Sequence, residues 1–256
     1  MMKLTFLGTG TSCGVPTIGC ECYTCRSTDP HDKRLRCSVL LETPQTRLLI
    51  DCGPDFRQQI MTQPFRRIDG ILITHAHYDH MGGMDDIRPY CQFGEINVYA
   101  DPIARKGMLE MLPYCFAEHR YPGVPAIQLH EIHPHHPFTI GDFDIMPFQV
   151  MHHDLPILGY RIGPLAYITD MKTMPQASYD ALQGLDVLIM NALHVREHPT
   201  HQNVDQAIEN ALRIGAKETY FIHMSHYAGL HAVADAQLPP HIHYAYDGLE
   251  LFFNFF

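Results

Sequence analysis

The segment Thr74-His75-Ala76-His77-Tyr78-Asp79-His80-Met81-Gly82-Gly83 constrains this chain more than any other. It sets three imidazoles and a carboxylate within six positions, straight after the apolar run Ile71-Leu72-Ile73. Neutral imidazole is the commonest side-chain metal ligand, and a carboxylate among imidazoles suits zinc, manganese or iron. His75 and His77 lie two apart, so an extended chain points both to one side. Asp79 and His80 follow on a turn and are placed to face a second ion. One loop of four ligands cannot fill two metal shells, so the fold has to bring more from elsewhere. A histidine-rich surface loop is the competing reading; even among 19 histidines, so dense a mixed cluster is rare by chance.

Further ligand types occur in order along the chain. His152 and His153 are adjacent, and only one can point inward from an extended segment. Asp170 follows the run Leu165–Thr169, and His223 closes Glu218–Ile222. Strand ends in α/β proteins are where sites are usually built. Other apolar β-type runs are Lys3–Leu7, Val39–Leu41, Arg47–Asp51, Ile96–Ala100, Phe143–Val150, Leu158–Ile162 and Val187–Asn191. The clearest helix runs from Asn203 to Ile214, with an apolar stripe of Val204, Ala207, Ile208, Ala211 and Leu212. Asn203 is its N-cap, with Gln206 three residues on, and Gly215 ends it. No linker-like stretch divides the chain. The pattern predicts one α/β domain over residues 1–256, with mixed sheets and helices outside.

Composition excludes some classes. The net charge of −10 draws in no long polyanion, and the short run Lys33-Arg34-Leu35-Arg36 reads as a solvated turn. No apolar stretch approaches the length of a membrane span, and the N-terminus reads as a strand rather than an export signal. Cytoplasmic localisation is therefore expected, with thiols reduced and available to metal.

This ligand series resembles the metallo-β-lactamase superfamily, whose pattern is HxHxDH, then His, Asp and His. The resemblance covers nearly the whole chain and implies a four-layer αββα sandwich with two metal ions at one edge. It assigns His75, His77 and His153 to one ion, and Asp79, His80 and His223 to the other, with Asp170 bridging. His153 is chosen over His152 because its spacing to Pro156, Gly159 and Tyr160 resembles the RNase Z branch. Asp51 matches the aspartate that braces the HxHxDH loop from behind. The ions are expected to be zinc or manganese, with iron also accommodated.

Gly19-Cys20-Glu21-Cys22-Tyr23-Thr24-Cys25 offers three thiolates within six residues, and tetrahedral zinc needs a fourth ligand. This insert, at about 19–37, resembles that of the PhnP-like cyclic phosphodiesterases of the carbon–phosphorus lyase pathway. The resemblance implies His226 as the fourth ligand of a structural zinc, stapling the N-terminal loop to the His223 loop. A redox site or free buried thiols are the competing readings. Cys13, Cys37, Cys52, Cys91 and Cys115 lack such spacing.

Two ions sharing a hydroxide suit in-line hydrolysis of a small or cyclic phosphodiester. Asp79 is expected to ligate and to steer the water. His201 matches a catalytic histidine of the phosphodiesterase group and is expected to titrate near neutrality as proton donor; a surface histidine beside a helix cap is the alternative. The stretch His130, His133, His135 and His136 is expected to be a polar loop, and Asp85, Asp86 and Arg88 to cap or pair locally. The resemblance also suggests a homodimer. Competing functions are a tRNA 3′-processing nuclease, which would want a basic arm, and a thioesterase or lactamase, which would not need the cysteine site. A flavin-coupled diiron oxidoreductase would want Glu at position 77, and a non-catalytic scaffold would tolerate missing ligands.

Overall fold

The computed structural model describes residues 1–253, whose strands form two seven-stranded mixed sheets. The first holds β1 (Met2–Gly8), β2 (Ser38–Glu42), β3 (Arg47–Ile50), β4 (Gly70–Leu72), β5 (Ile96–Ala100) and β6 (Ile127–Glu131). The second holds β7 (Phe138–Ile140), β8 (Phe143–His152), β9 (Leu155–Ile162), β10 (Leu165–Tyr167), β11 (Val187–Asn191), β12 (Glu218–Ile222) and β13 (Ile242–Tyr244). The chain then returns to the first sheet as β14 (Glu250–Phe253), giving the orders β14-β1-β2-β3-β4-β5-β6 and β13-β12-β11-β10-β9-β8-β7. Both sheets repeat one plan. Antiparallel pairing runs from β14 through β1 and β2 to β3, and from β7 through β8 and β9 to β10. Parallel pairing then continues from β3 to β6 and from β10 to β13.

Three apolar layers explain the strand sequences. Val39 and Leu41 face between the sheets, among Leu4, Phe6, Phe143, Tyr160 and Tyr167. Leu40, between them in sequence, turns the other way, onto a layer with Leu49, Ile71, Phe56 and Met108. Beyond the second sheet, Phe148, Ala166, Leu188 and Phe221 pack under Val204, Ala207, Ala211 and Ile214 of the 204–214 helix. Strands buried on both faces need continuous apolar runs rather than alternation, which is the pattern these strands carry. The result is the expected αββα sandwich.

The helix at Val204–Ile214 has the expected capping box between Asn203 and Gln206, and Gly215, at φ 71°, ends it. Its buried face keeps Val204, Ala207 and Ala211 of the expected stripe, with Ile208 partly buried, but in the last turn Ile214 is buried and Leu212 is 64% exposed. Four strands were not announced by the sequence pattern, namely β6, β7, β13 and β14. All four are sheet edges. An edge strand packs against one neighbour only, so its apolar signal is weak. Among the described residues, no helix is long and apolar enough to cross a membrane.

Candidate metal centre

The site is built where the carboxyl ends of β3, β4, β8, β10 and β12 meet at one edge of the sandwich. Asp51 lies just past β3, His75 to His80 follow β4, His152 ends β8, Asp170 follows β10 and His223 follows β12. Asp51, Asp170 and His223 all adopt left-handed backbone, at φ 61°, 51° and 58°. Non-glycine residues rarely do so, at a cost of about 1–3 kcal/mol each, and such strain survives where the surroundings fix it. Close packing holds the His75–His80 loop down: a Cβ on Gly83 would lie 2.0 Å from the Gly53 carbonyl oxygen.

Donor atoms converge in three overlapping groups: Asp79, His80, Asp170 and His223; His75, His77 and Asp170; and His152, Asp170 and His201. Asp170 is common to all three, which is the placement a bridging carboxylate requires. Its oxygens lie 3.1 Å from His223 Nε2, 3.3 Å from His80 Nε2 and 3.8 Å from His75 Nε2. His75 Nε2 and His77 Nδ1 are 3.0 Å apart.

Hydrogen bonds behind these ligands set their tautomers. His80 Nδ1 donates to Asp51 Oδ2 at 2.7 Å, leaving Nε2 as a lone pair facing Asp79 and Asp170. Thr74 Oγ1 donates to the Asp51 carboxylate at about 3 Å and accepts from His75 Nδ1 at 3.0 Å, which frees His75 Nε2. His152 Nδ1 donates to the Thr200 carbonyl at 2.9 Å, freeing its Nε2. A single buried carboxylate, Asp51, therefore orients ligands of two donor groups, one directly and one through Thr74. Thr74 escaped the sequence reading because nothing but the fold joins it to Asp51.

Electrostatics and unpaired atoms fit divalent cations. Burial works against charge on Asp170 and Asp79, yet His223 and His80 beside Asp170, and His80 and His223 beside Asp79, hold both carboxyls well below their usual range. Burial also opposes charge on His80, but Asp170, Asp51 and Asp79 push its pKa well above normal. Burial, with His80 and His77 nearby, pushes His75 down. The carboxylates thus call for positive charge, either a second proton at His80 Nε2 or, with that nitrogen left as a lone pair, a cation. His80 Nε2 and both ring nitrogens of His223 are buried without a hydrogen-bond partner among the described residues. Ring lone pairs left unpaired beside carboxylates are what a metal would satisfy.

One expected ligand is corrected. His152, not His153, turns inward: it is buried in phase with Val150 and its ring lies 5.2 Å from that of His77. His153 falls in the β8–β9 turn at φ 54°, its side chain 56% exposed and paired with Asp154 at 2.9 Å. Ladder pairing of His152 with Leu155 makes it the last residue in strand register, so the turn begins one residue earlier than the spacing to Pro156 suggested.

His201 lies at the same edge, 4.7 Å from the ring of His152 and 4.9 Å from that of His223. It does not titrate near neutrality as expected. Burial and the adjoining His223, His152 and His198 push its pKa down to about 3. The capping box behind it already uses the Gln206 N–H, so the helix start is not an open anion cradle.

Cys20, Cys22, Cys25 and His226 form a separate group, with His226 Nδ1 at 3.3 Å from Cys20 Sγ and 3.2 Å from Cys22 Sγ. The His226 contact lowers the Cys22 thiol to about 6, whereas burial lifts Cys25 to about 11. His130 bonds Asn97 at 2.8 Å and stacks on Tyr99, and no metal-binding group includes the 130–136 histidines among the described residues. Asp85 pairs with Arg88 at 2.7 Å and accepts from the Tyr114 hydroxyl, as expected of a local pair. Asp86 is exposed.

Comparison with known proteins agrees with this geometry. The chain is 46% identical, over 97% of its length, to 51% of an octanoyltransferase from Porphyromonas gingivalis. It is 30% identical, over 63% of its length, to 36% of a ribonuclease Z from Thermosynechococcus vestitus. The chain thus spans about half, or less, of these curated relatives. A solved diphosphatase of the PhnP family superposes with TM-score 0.92 at 39% identity, covering 100% of this chain and 99% of that one. The short form of human tRNase Z superposes at TM-score 0.71 and 20% identity over 97% of this chain and 98% of that one, a likeness of fold. Residues 46–224 match the beta-lactamase superfamily domain. Since that match takes in most of the sandwich and its donor-bearing edge, the chain belongs to the beta-lactamase superfamily.

Proposed function

We propose that the protein is a metal-dependent phosphohydrolase that cleaves a P–O bond in a small phosphodiester or diphosphate. The observation that carries this reading is the sharing of Asp170 among three donor groups, which suits two adjacent cations. The 39% identical full-length diphosphatase of the PhnP family supports the substrate class. The net charge of −10 weighs against a long RNA substrate.

His75, His77 and His152 would hold one ion, and Asp79, His80 and His223 the other, with Asp170 between them. Bound divalent ions supply positive charge that neutralises phosphoryl oxygens and lowers the pKa of water. Asp79, kept ionised by His80 and His223, would accept a hydrogen bond from water and so orient it. His201, held neutral by burial and the adjoining imidazoles, sits beside the ligand rings; an anionic phosphoryl group there would raise its basicity and let it pass a proton to the leaving oxygen. Cys20, Cys22, Cys25 and His226 would hold a structural zinc, anchoring the strand end that carries His223.

A second reading comes from the 46% identity to an octanoyltransferase, which favours a substrate carrying an octanoyl group. This chain spans only 51% of that protein, so the acyl chemistry can belong to the other half. The deciding experiment is a screen of protein reconstituted with zinc or manganese. Substrates are bis-(p-nitrophenyl) phosphate, a dinucleotide diphosphate, precursor tRNA and an octanoyl thioester. Turnover of the first two that disappears in His75→Ala and Asp170→Ala is expected; turnover of the thioester alone would refute the proposal.

A further inference from the structure

Beyond His201 the histidines continue outward. The His198 ring lies 5.2 Å from that of His201, and His194 lies 5.8 Å from His198. His198 is one ring step from the metal-facing imidazoles and plays no part in the donor groups. Its Nδ1 accepts from the Thr200 N–H at 3.4 Å and lies 3.2 Å from the Thr200 hydroxyl. That contact places the ring proton on Nε2, for which no partner is recorded among the described residues, so a donor is left over.

A fixed cation stands beside Glu197, the residue before His198. Lys172 Nζ donates to Gln206 Oε1 at 3.0 Å, and that oxygen also accepts from the Asn203 N–H at 3.2 Å. The helix-capping glutamine therefore ties down the ammonium, whose side chain is only 20% exposed. The Lys172 charge acts on His198, being among the groups that disfavour its protonation. The opposing carboxylate is Glu197, 3.7 Å from Lys172, and its side chain is 75% exposed. Glu197 also accepts from the Asn203 and Gln206 side-chain amides at 3.3–3.4 Å, and an ion pair this exposed is weak enough for a bound anion to compete for the ammonium.

We propose that His198 and Lys172 form a second anion subsite that selects substrates with another phosphate next to the one being cleaved. A diphosphate would place one phosphoryl group at the metal ligands and the next against the His198 Nε2 donor and the Lys172 ammonium. This rests on the phosphohydrolase reading and narrows it from phosphodiesters and diphosphates alike to diphosphates.

The test is titration calorimetry of the metal-loaded chain with methylenediphosphonate and with methylphosphonate, neither of which can be hydrolysed. Wild type is expected to bind the diphosphonate at least tenfold more tightly. His198→Ala and Lys172→Met should each erase most of that margin and leave methylphosphonate binding unchanged. His198→Gln, which keeps an N–H donor, should retain part of the margin, and guards against a variant that fails merely by misfolding. The subsite is refuted if wild type shows no preference, or if the margin survives intact in both His198→Ala and Lys172→Met. Because the readout is binding, it stands apart from the substrate screen. Absence of phosphoester turnover would remove the phosphohydrolase reading without touching this margin.

Discussion

Replacing Asp51 with Asn tests the idea that one buried carboxylate orients the ligands of both ions. Asp51 is fully buried and accepts from the Thr74 N–H at 2.9 Å, from the Thr74 hydroxyl and from His80 Nδ1 at 2.7 Å. Asn is nearly isosteric and tolerates the left-handed backbone at φ 61°, so the turn should survive. Its amide, however, brings two donors into a pocket that needs an acceptor for both Thr74 and His80. If the amide nitrogen faces Thr74, the hydroxyl loses its acceptor and competes with the His75 Nδ1 proton; if it faces His80, two N–H groups meet. A hydrogen bond to a charged group contributes about 1.5–3 kcal/mol. At about 1.4 kcal/mol per tenfold, the loss is roughly tenfold to hundredfold in metal affinity, the range typical of groups that brace metal ligands. Equilibrium dialysis against buffered free zinc, with metal quantified by mass spectrometry, should show both ions weakened. A variant that keeps both ions at wild-type affinity would refute the reasoning, and loss of the His80-side ion with the His75-side ion kept would refute the Thr74 link to His75.

Other consequences can be checked separately. His152→Ala should reduce hydrolysis by at least about a hundredfold, since a metal ligand is lost, whereas His153→Ala should leave steady-state rates within about twofold; the reverse ranking would restore the sequence-based choice. Cys22→Ser should remove one zinc per chain and lower the melting temperature, whereas unchanged zinc content would argue against the thiolate site. In metal-free protein, His201 has a folded pKa of about 3 against an unfolded value near 6.5. Its neutral form is favoured by the fold, so stability is full above pH 6.5 and falls as pH drops toward 3, at about 1.4 kcal/mol per pKa unit of difference. Urea unfolding across that range should show the slope, and His201→Gln should flatten it; a wild-type slope in the variant would assign the effect elsewhere.

Much of the molecule was legible before any coordinates. Interior strands such as Val39–Leu41 and the apolar stretch Val187 to Met190 announce themselves because burial on both faces leaves little room for polar residues. Asn203, Gln206 and Gly215 mark their helix by local hydrogen bonding alone. The donors His75, His77, Asp79, His80, Asp170 and His223 could be listed because a metal centre demands a few residue types in dense or strand-end positions. The thiolates of Cys20, Cys22 and Cys25 stood out for the same reason.

Tertiary structure decided what depends on neighbours distant in the chain. Which of His152 and His153 faces the centre follows from the last rung of the β8–β9 ladder, a one-residue matter that spacing cannot resolve. The edge strands β6, β7, β13 and β14 exist because a neighbour offers its backbone, not because their own side chains insist. His201 lost its expected basicity to burial and to three histidines brought beside it by other segments. Residue types and local periodicity are written in the chain, but register, burial and electric field arise only when its separate parts are brought together.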